Sequence, residues 1–221
     1  MAKPGAAPDR SRLLDTLNVG LAAAEAHWGL PLTEAQRRSL VDYVLLMAKW
    51  NRVDNLTAVT DPIEMVQRHL LDSLSLAPHL NGNDLADLGS GAGLPGIPLA
   101  IAFPDVRFTL IDTAAKRVRF MNQARAGLGL DNVHCHQARA EDFRPDQPFS
   151  QITSRAFTSL IEFVAMALPL LAPGGRILAM KGQRPIKEME TLVEQGLKVN
   201  SVPLWVPDEH AERCLVTVEV P

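Results

Sequence analysis

The sequence predicts an α/β fold: a doubly wound, mostly parallel seven-stranded sheet with an antiparallel C-terminal strand and an N-terminal helical extension. Three observations predict it. From Asn83 onward, short apolar runs alternate with stretches of helical length, which implies right-handed crossovers between parallel strands. The last two strand candidates are joined only by the Pro207 to Arg213 loop, so they form a hairpin that puts an antiparallel strand at or near the sheet edge. Before Asn83 the apolar spacing is helical. A chain of 221 residues suits one large domain, or one core with an extension, and hardly two independent domains. The expected division is a disordered tail over residues 1–12, a helical extension over 13–80 and the core over 81–221.

Taken in order, Met1 to Arg12 is rich in Pro, Gly and Ala and lacks the apolar stretch of a secretory signal. Leu13, Leu14, Leu17 and Leu21 recur at helix spacing, and Thr33 with Gln36 forms a capping box for a second helix reaching about Trp50. A third helix opens with Asp61 at the N-cap, Pro62 at the first position and Glu64, then continues through Met65, Leu70, Leu71, Leu74 and Leu76. Strands are expected at Asp84 to Leu88, Arg107 to Ile111, Val133 to His136, Gln151 to Thr153, Arg176 to Met180, Asn200 to Val206 and Cys214 to Val220. Helices fall between the first of these, near 95–102, 114–128, 159–171 and 185–196.

Composition excludes several classes. A hydrophobic fraction of 47% with 21% charged residues rules out a disordered or fibrous chain. No apolar run approaches the roughly 18 residues of a membrane span, so no membrane partner is expected. Two cysteines, Cys135 and Cys214, give neither metal-ligand spacing nor a disulfide framework, which suits a reducing cytoplasm and a protein without metal. The formal net charge of −3 does not advertise nucleic-acid binding, but its distribution is uneven. Between Lys116 and Arg155 seven Lys/Arg face four acids, and Arg176 to Lys187 holds four bases and no acid. Such local basic surface can serve an RNA partner; solvated helix faces are the plainer account.

The chemistry concentrates after the first strand, where Asp87-Leu88 runs into Gly89-Ser90-Gly91-Ala92-Gly93-Leu94-Pro95-Gly96. Alternate glycines at a strand-to-helix turn let a cofactor approach the backbone. Gly91-x-Gly93-x-x-Gly96 also matches the dinucleotide fingerprint, which keeps a nicotinamide-dependent dehydrogenase in play. Asp87 weighs against it. A carboxylate there would repel a pyrophosphate, yet it suits the ammonium and sulfonium of S-adenosylmethionine. The segment thus reads as the methionine-moiety loop of a class I methyltransferase, with Asp87, Gly89, Gly91, Gly93 and Leu94 as candidate cofactor residues. Asp112, closing the second strand, can accept from ribose hydroxyls, and the Glu141-Asp142 pair beyond the third strand stands where such enzymes hold adenine. An ordinary turn aspartate and a turn-capping pair are the alternatives.

Several segments together resemble one family. Trp50-Asn51, Asn55-Leu56-Thr57-Ala58, Arg68-His69-x-Leu71-Asp72-Ser73-Leu74, the stretch Gly89 to Leu99, Ser154-Arg155-Ala156-Phe157 and Lys181-Gly182 are similar to signatures of the glucose-inhibited division protein B family. Its members are bacterial small-subunit rRNA guanine-N7 methyltransferases. The resemblance spans about residues 45–220 and departs at Cys214, where the family usually has histidine in Arg-His-Leu-Val. It implies cofactor contacts at Gly89, Leu94, Ala140, Glu141 and Arg155, and a target guanine in the decoding-region loop of 16S rRNA. The implied partner is 16S rRNA or the small ribosomal subunit, and a cytoplasmic monomer is expected.

The residues agree with that chemistry. Guanine N7 has an in-plane lone pair and no proton, so positioning can suffice without a general base. No Ser-His-Asp set, metal cluster, or Pro-Pro-aromatic or Pro-Cys motif follows the fourth strand. Arg155 at that strand's carboxyl end and His69 are the positioning candidates. The alternative for Arg155 is an ion pair with an acid such as Glu141. RNA-binding candidates are Arg68, Lys116, Arg117, Arg119, Phe157 as a stacking ring and Lys181; an Arg68-Asp72 surface pair and solvated lysines are the plainer accounts. Trp50 reads as core. A non-catalytic S-adenosylmethionine or RNA-binding regulator is the remaining rival.

Overall fold

The computed structural model describes residues 9–155, 157, 159–207 and 212–220. Most of the expected tail lies outside the described residues. Its last three residues do not fit that expectation: Arg10, Ser11 and Arg12 open α1 (Arg10–Trp28), with the Asp9 side chain accepting from the Ser11 N–H at 3.0 Å. The N-cap stands ahead of the leucine stripe, so leucine spacing alone starts the helix too late. α2 (Glu34–Asp54) carries the expected Thr33–Gln36 capping box and ends at Asn55 in the left-handed conformation, one turn beyond Trp50.

The third helix is not a plain α-helix. It runs as α3 (Pro62–Met65), a π-helical stretch (Val66–Leu71) and α4 (Asp72–Leu74). Apolar spacing reports that a segment is helical, not which carbonyl each N–H takes, so the wide turn was invisible beforehand. It turns His69 and Asp72 inward together, at 6% and 5% exposure.

The seven strands are β1 (Asp84–Leu88), β2 (Arg107–Asp112), β3 (Val133–Gln137), β4 (Phe149–Ser154), β5 (Leu171–Lys181), β6 (Lys198–Pro203) and β7 (Cys214–Glu219). Their order across the sheet is β3-β2-β1-β4-β5-β7-β6. The pairs among β1 to β5 are parallel, and β7 is antiparallel to both β5 and β6, one place in from the edge. The crossovers contain α5 (Gly96–Ala102), α6 (Ala115–Leu128), α7 (Leu160–Ala167) and α8 (Ile186–Glu194). The helix expected over 159–171 stops early, because Leu168–Leu170 tightens around Pro169 into a 3₁₀ turn and Leu171 already pairs with Phe149. β6 ends at Pro203, which has no N–H to donate, rather than at Val206.

Side chains of β1 alternate between two apolar layers. Leu85 joins the layer of α1, α2, α5 and α6, with Leu17, Tyr43, Met47, Leu70 and Phe108 in the same core; Ala86 and Leu88 join the opposite layer of α7 and α8. Asp87 shares the face of Leu85 and is fully buried there. The N-terminal helices therefore have no separate core. No described helix is long and apolar enough to cross a membrane.

Candidate active site

Strands β1, β2, β3, β4 and β5 deliver Gly89, Asp112, Ala138, Arg155 and Lys181 to one end of the sheet, where doubly wound folds bind ligands. Two cavities of about 360 Å³ each open there. The first is lined by Gly89, Asp112, Arg117, Ala140, Glu141 and Phe157, among others. The second is lined by Arg68, His69, Asp72, Arg155, Lys181 and Arg213, with Met180 and Gly182.

The first cavity sits against a backbone turn. Gly89, Gly91 and Gly93 have φ of 70°, 60° and 84°, a left-handed series that explains glycine at alternate positions by conformation alone. What each glycine leaves room for differs. A Cβ on Gly93 would lie 2.4 Å from the Ile97 side chain, and one on Gly96 would lie 2.1 Å from that of Leu110, so protein packing occupies those two. A Cβ on Gly91 would meet nothing closer than the Gly89 carbonyl at 4.0 Å, so this position alone of the three opens outward. The turn is fastened from β2: the Gly89 and Ser90 N–H groups donate to the Ile111 carbonyl at 2.8 and 3.1 Å, and the Gly91 N–H donates to Asp112 Oδ2 at 2.9 Å. Tyr43 donates its hydroxyl to the Ala92 carbonyl, tying the turn to α2, and burial pushes that phenol far above its ordinary pKa.

Asp112 is already engaged. Its Oδ1 accepts from the Ala114 N–H at 2.9 Å and its Oδ2 also takes Arg117 Nη1 at 3.3 Å. Oδ1 keeps lone-pair capacity, whereas Oδ2 already accepts two hydrogen bonds, because the residue is also the clasp of the glycine turn. Arg117, a candidate for RNA contact, is thereby turned to the wall of the first cavity. Phe157 stands in that wall too, stacked on Phe163 at 5.3 Å, and does not line the second cavity. Ala140 and Glu141 sit on a 3₁₀ turn beside it, with Glu141 half exposed and 3.9 Å from Arg139 Nε. Leu94 is buried in the core behind the turn.

Asp87 lies beneath the turn. Its Oδ2 accepts from the Gly96 N–H at 3.1 Å, and its Oδ1 has no hydrogen-bond partner. Burial raises its pKa to about 7, against the opposing pull of the Gly96 N–H and Arg155. The first N–H of α5, where a dinucleotide fingerprint would receive its pyrophosphate, is thus taken by a carboxyl group.

The second cavity is built from side chains far apart in sequence. Asp72 accepts from Arg155 Nη1 at 3.0 Å through Oδ2 and from Arg213 Nε at 3.0 Å through Oδ1, so one buried carboxylate aligns two guanidinium groups. The plainer account of Arg155, an ion pair with an acid, holds, with Asp72 as the acid in place of Glu141; the Arg68-Asp72 surface pair does not form, and Arg68 reaches Glu64 at 4.0 Å instead. The cause is the π-helical turn, which sends Asp72 inward while Arg68 stays exposed. Arg155 also donates to the Arg68 carbonyl at 3.2 Å.

His69 has a defined tautomer. Its Nδ1 lies 3.0 Å from the Arg68 carbonyl, which can only accept, so Nδ1 carries the proton and Nε2 accepts from the Thr57 hydroxyl at 2.8 Å. The Val59 N–H donates to that same hydroxyl oxygen. Burial first, then Arg155, lowers the imidazole pKa to about 4. His69 is therefore neutral near pH 7 with both nitrogens engaged. Lys181 donates to the Phe157 carbonyl at 2.8 Å, and burial lowers its pKa. Lys116 donates to the Asp54 carbonyl at 2.6 Å on the exposed face of α6, where Arg119 is exposed as well. These two stand apart from both cavities.

Arg213 lines the second cavity although the sequence reading did not name it as a site candidate. Its partner Asp72 is 141 residues away, so no local spacing announces the pair. Among the described residues, no group of three or more His, Cys, Asp or Glu gathers as a metal site.

A family model described as rRNA small subunit methyltransferase G matches residues 36–216. A Marinobacter nauticus protein named ribosomal RNA small subunit methyltransferase G is 48% identical over 202 residues, covering 91% of this chain and 92% of that one. An Alkalilimnicola ehrlichii protein of the same name is 44% identical over 209 residues, covering 95% and 93%. Among solved structures, the O-methyltransferase TomG from Streptomyces achromogenes, in complex with S-adenosylmethionine, superposes with a TM-score of 0.54 at 18% identity, over 92% of this chain and 96% of its own. The glycopeptide N-methyltransferase MtfA, also complexed with S-adenosylmethionine, gives 0.59 at 12% identity over 69% and 94%. At such identities these two likenesses speak to the fold.

Proposed function

Because the chain belongs to the rRNA small subunit methyltransferase G family, we propose that it transfers the methyl group of S-adenosylmethionine to N7 of a guanine in the decoding-region loop of 16S rRNA. The dehydrogenase and non-catalytic readings fall with that membership. The observation that carries the reaction is the pairing of cavities. Arg155 stands in the wall of the second and Phe157, two residues on, in the wall of the first.

The first cavity and the glycine turn beside it fit the cofactor. Asp112 and the Ala140–Glu141 turn line the cavity, and the outward-opening Gly91 and the buried, unpartnered Asp87 oxygen belong to the adjoining turn; together they suit an adenosine joined to a cationic tail. Bound there, the cofactor supplies an electrophilic methyl group on its sulfonium. The chain's own residues do the remaining work. Asp112 and the Ile111 carbonyl hold the glycine turn in its open shape. Asp72 aligns Arg155 and Arg213, and with Arg68 and Lys181 four cationic side chains are among the described residues that line the second cavity, groups of the kind that contact the phosphates flanking an extruded nucleotide. An arginine fork on O6 and N7 would block the nucleophile, so the base is read on its Watson–Crick edge. Nothing needs to remove a proton from N7, and neutral, doubly bonded His69 is a brace for the Arg68 carbonyl that Arg155 also uses. We place Arg68, Lys181 and Arg213 on RNA, and residues 13–80 as the helical layer that brings Asp72 and His69 to the core at 81–221.

The test is methylation of 16S rRNA, assembling particles and finished subunits in vitro, followed by borohydride and aniline treatment, which cleaves RNA at N7-methylguanine. Cleavage at one decoding-region guanine in at least one substrate is expected. Methylation without aniline-sensitive cleavage would refute N7 as the acceptor.

A further inference from the structure

We propose that Asp87 is a proton-linked counter-charge of the cofactor site: it holds a proton in the cofactor-free protein and releases it to solvent when the cationic cofactor binds. The inference rests on the methyltransferase reading above and adds to it a proton that the reaction itself does not require.

Geometry sets the condition. Asp87 is the one carboxylate on the inward face of β1, and it is wholly buried. Its Oδ2 has one donor, the Gly96 N–H, and its Oδ1 has none. The nearby Ser90 hydroxyl is directed to the backbone carbonyl of Asp87 at 2.7 Å, and it favours the ionised carboxyl less than the Gly96 N–H and Arg155 do. No side chain at position 96 can add a donor, because a Cβ there would lie 3.0 Å from Oδ2 and 2.1 Å from Leu110. A buried carboxylate with one hydrogen bond and no adjoining ion pair is far costlier than the neutral acid. The charged groups that face it do not remove this condition. Arg155 at the end of β4 favours ionisation, Asp112 at the end of β2 opposes it, and Tyr43 on α2 stays protonated, with a pKa raised well above neutrality. The balance leaves the group poised near neutrality.

The cofactor brings an ammonium and a sulfonium against one carboxylate, a net positive charge next to the turn that covers Asp87. A net cation near a buried acid favours the ionised form and drives the proton to solvent. Binding must then strengthen as pH rises toward neutrality, since the cofactor-free state holds one proton more.

Calorimetry of S-adenosylmethionine binding at pH 6, in two buffers of different ionisation enthalpy, measures that proton. Release of most of one proton per cofactor is expected, with affinity rising by up to about tenfold per pH unit below neutrality. Asp87→Asn should abolish both the buffer dependence and the slope. Binding with no proton release, or release undiminished in Asp87→Asn, would overturn the proposal. Should that variant not fold, infrared difference spectra of the wild type decide: the protonated-carboxyl band must disappear on adding cofactor, and its persistence refutes the idea. Failure to bind S-adenosylmethionine at all would strike the methyltransferase reading itself, whereas binding without proton release strikes this inference alone.

Discussion

The two cavities at the carboxyl end of the sheet are of similar size but differently made. The first rests on local backbone turns: a glycine turn after β1, hydrogen-bonded to the end of β2, and a 3₁₀ turn after β3. The second is a side-chain object, in which Asp72 reaches Arg155 across 83 residues and Arg213 across 141. Local backbone shape is written in contiguous residues, whereas a long-range clamp exists only after folding. The first should therefore fail through steric filling with the clamp intact, and the second through loss of a single carboxylate.

The largest effect is expected at that carboxylate. Asp72→Ala removes the shared partner of two arginines and should destabilise the protein by about 3 kcal/mol or more, because a broken buried pair leaves uncompensated charge. Urea unfolding measures it. A loss below about 1 kcal/mol would mean that the clamp is solvated and the second cavity is not built as described. On the other side, Gly91→Val should abolish cofactor binding in calorimetry while costing about 1–2 kcal/mol of stability for its left-handed backbone. Retained binding would show that the open position does not face the cofactor.

The regions should also differ in the sign of their pH response. His69 has a folded pKa of about 4, below its ordinary 6.5, so the stability it contributes is fully present above about pH 6.5 and is lost as pH falls through 4. That amounts to about 3 kcal/mol, and His69→Gln should flatten this acid limb. Asp87 has a folded pKa of about 7, above its ordinary 3.8, so its contribution is present below pH 3.8 and lost as pH rises through 7. Stability curves of the two variants bending the same way would contradict the assignment. The smallest effects belong to the exposed face of α6. If Lys116 and Arg119 touch phosphates, each alanine variant should lower the salt slope of RNA binding by about one unit without changing cofactor affinity. An unchanged slope makes that face merely solvated.

The same contrast explains what was legible in the sequence. Asp84 to Leu88 was bounded correctly because its apolar run ends in glycines whose backbone angles no other residue takes easily. The hairpin of β6 and β7 was legible from the missing crossover helix. The helix after Asp61 was recognised, yet its π-helical turn was not, since apolar spacing is insensitive to hydrogen-bond register. That one feature is why Asp72 was read as a partner for Arg68. Arg155 was found by its place at a strand end, its partner was not, and Arg213 was missed for the same reason. Asp87 was identified for its charge; its burial and its unpartnered oxygen required the fold.

The central claim is that the chain's residues position the guanine and cofactor and that none acts as a general base. Single-turnover methylation under saturating cofactor tests it most directly. The account predicts a rate nearly flat from about pH 6 to 9, because His69 is already neutral and N7 has no proton to lose. Arg155→Ala should lower that rate by about 10 to 1,000-fold at every pH, a loss of about 1.4 to 4 kcal/mol. A bell-shaped or rising wild-type profile that disappears in His69→Ala would contradict the account and make His69 the base.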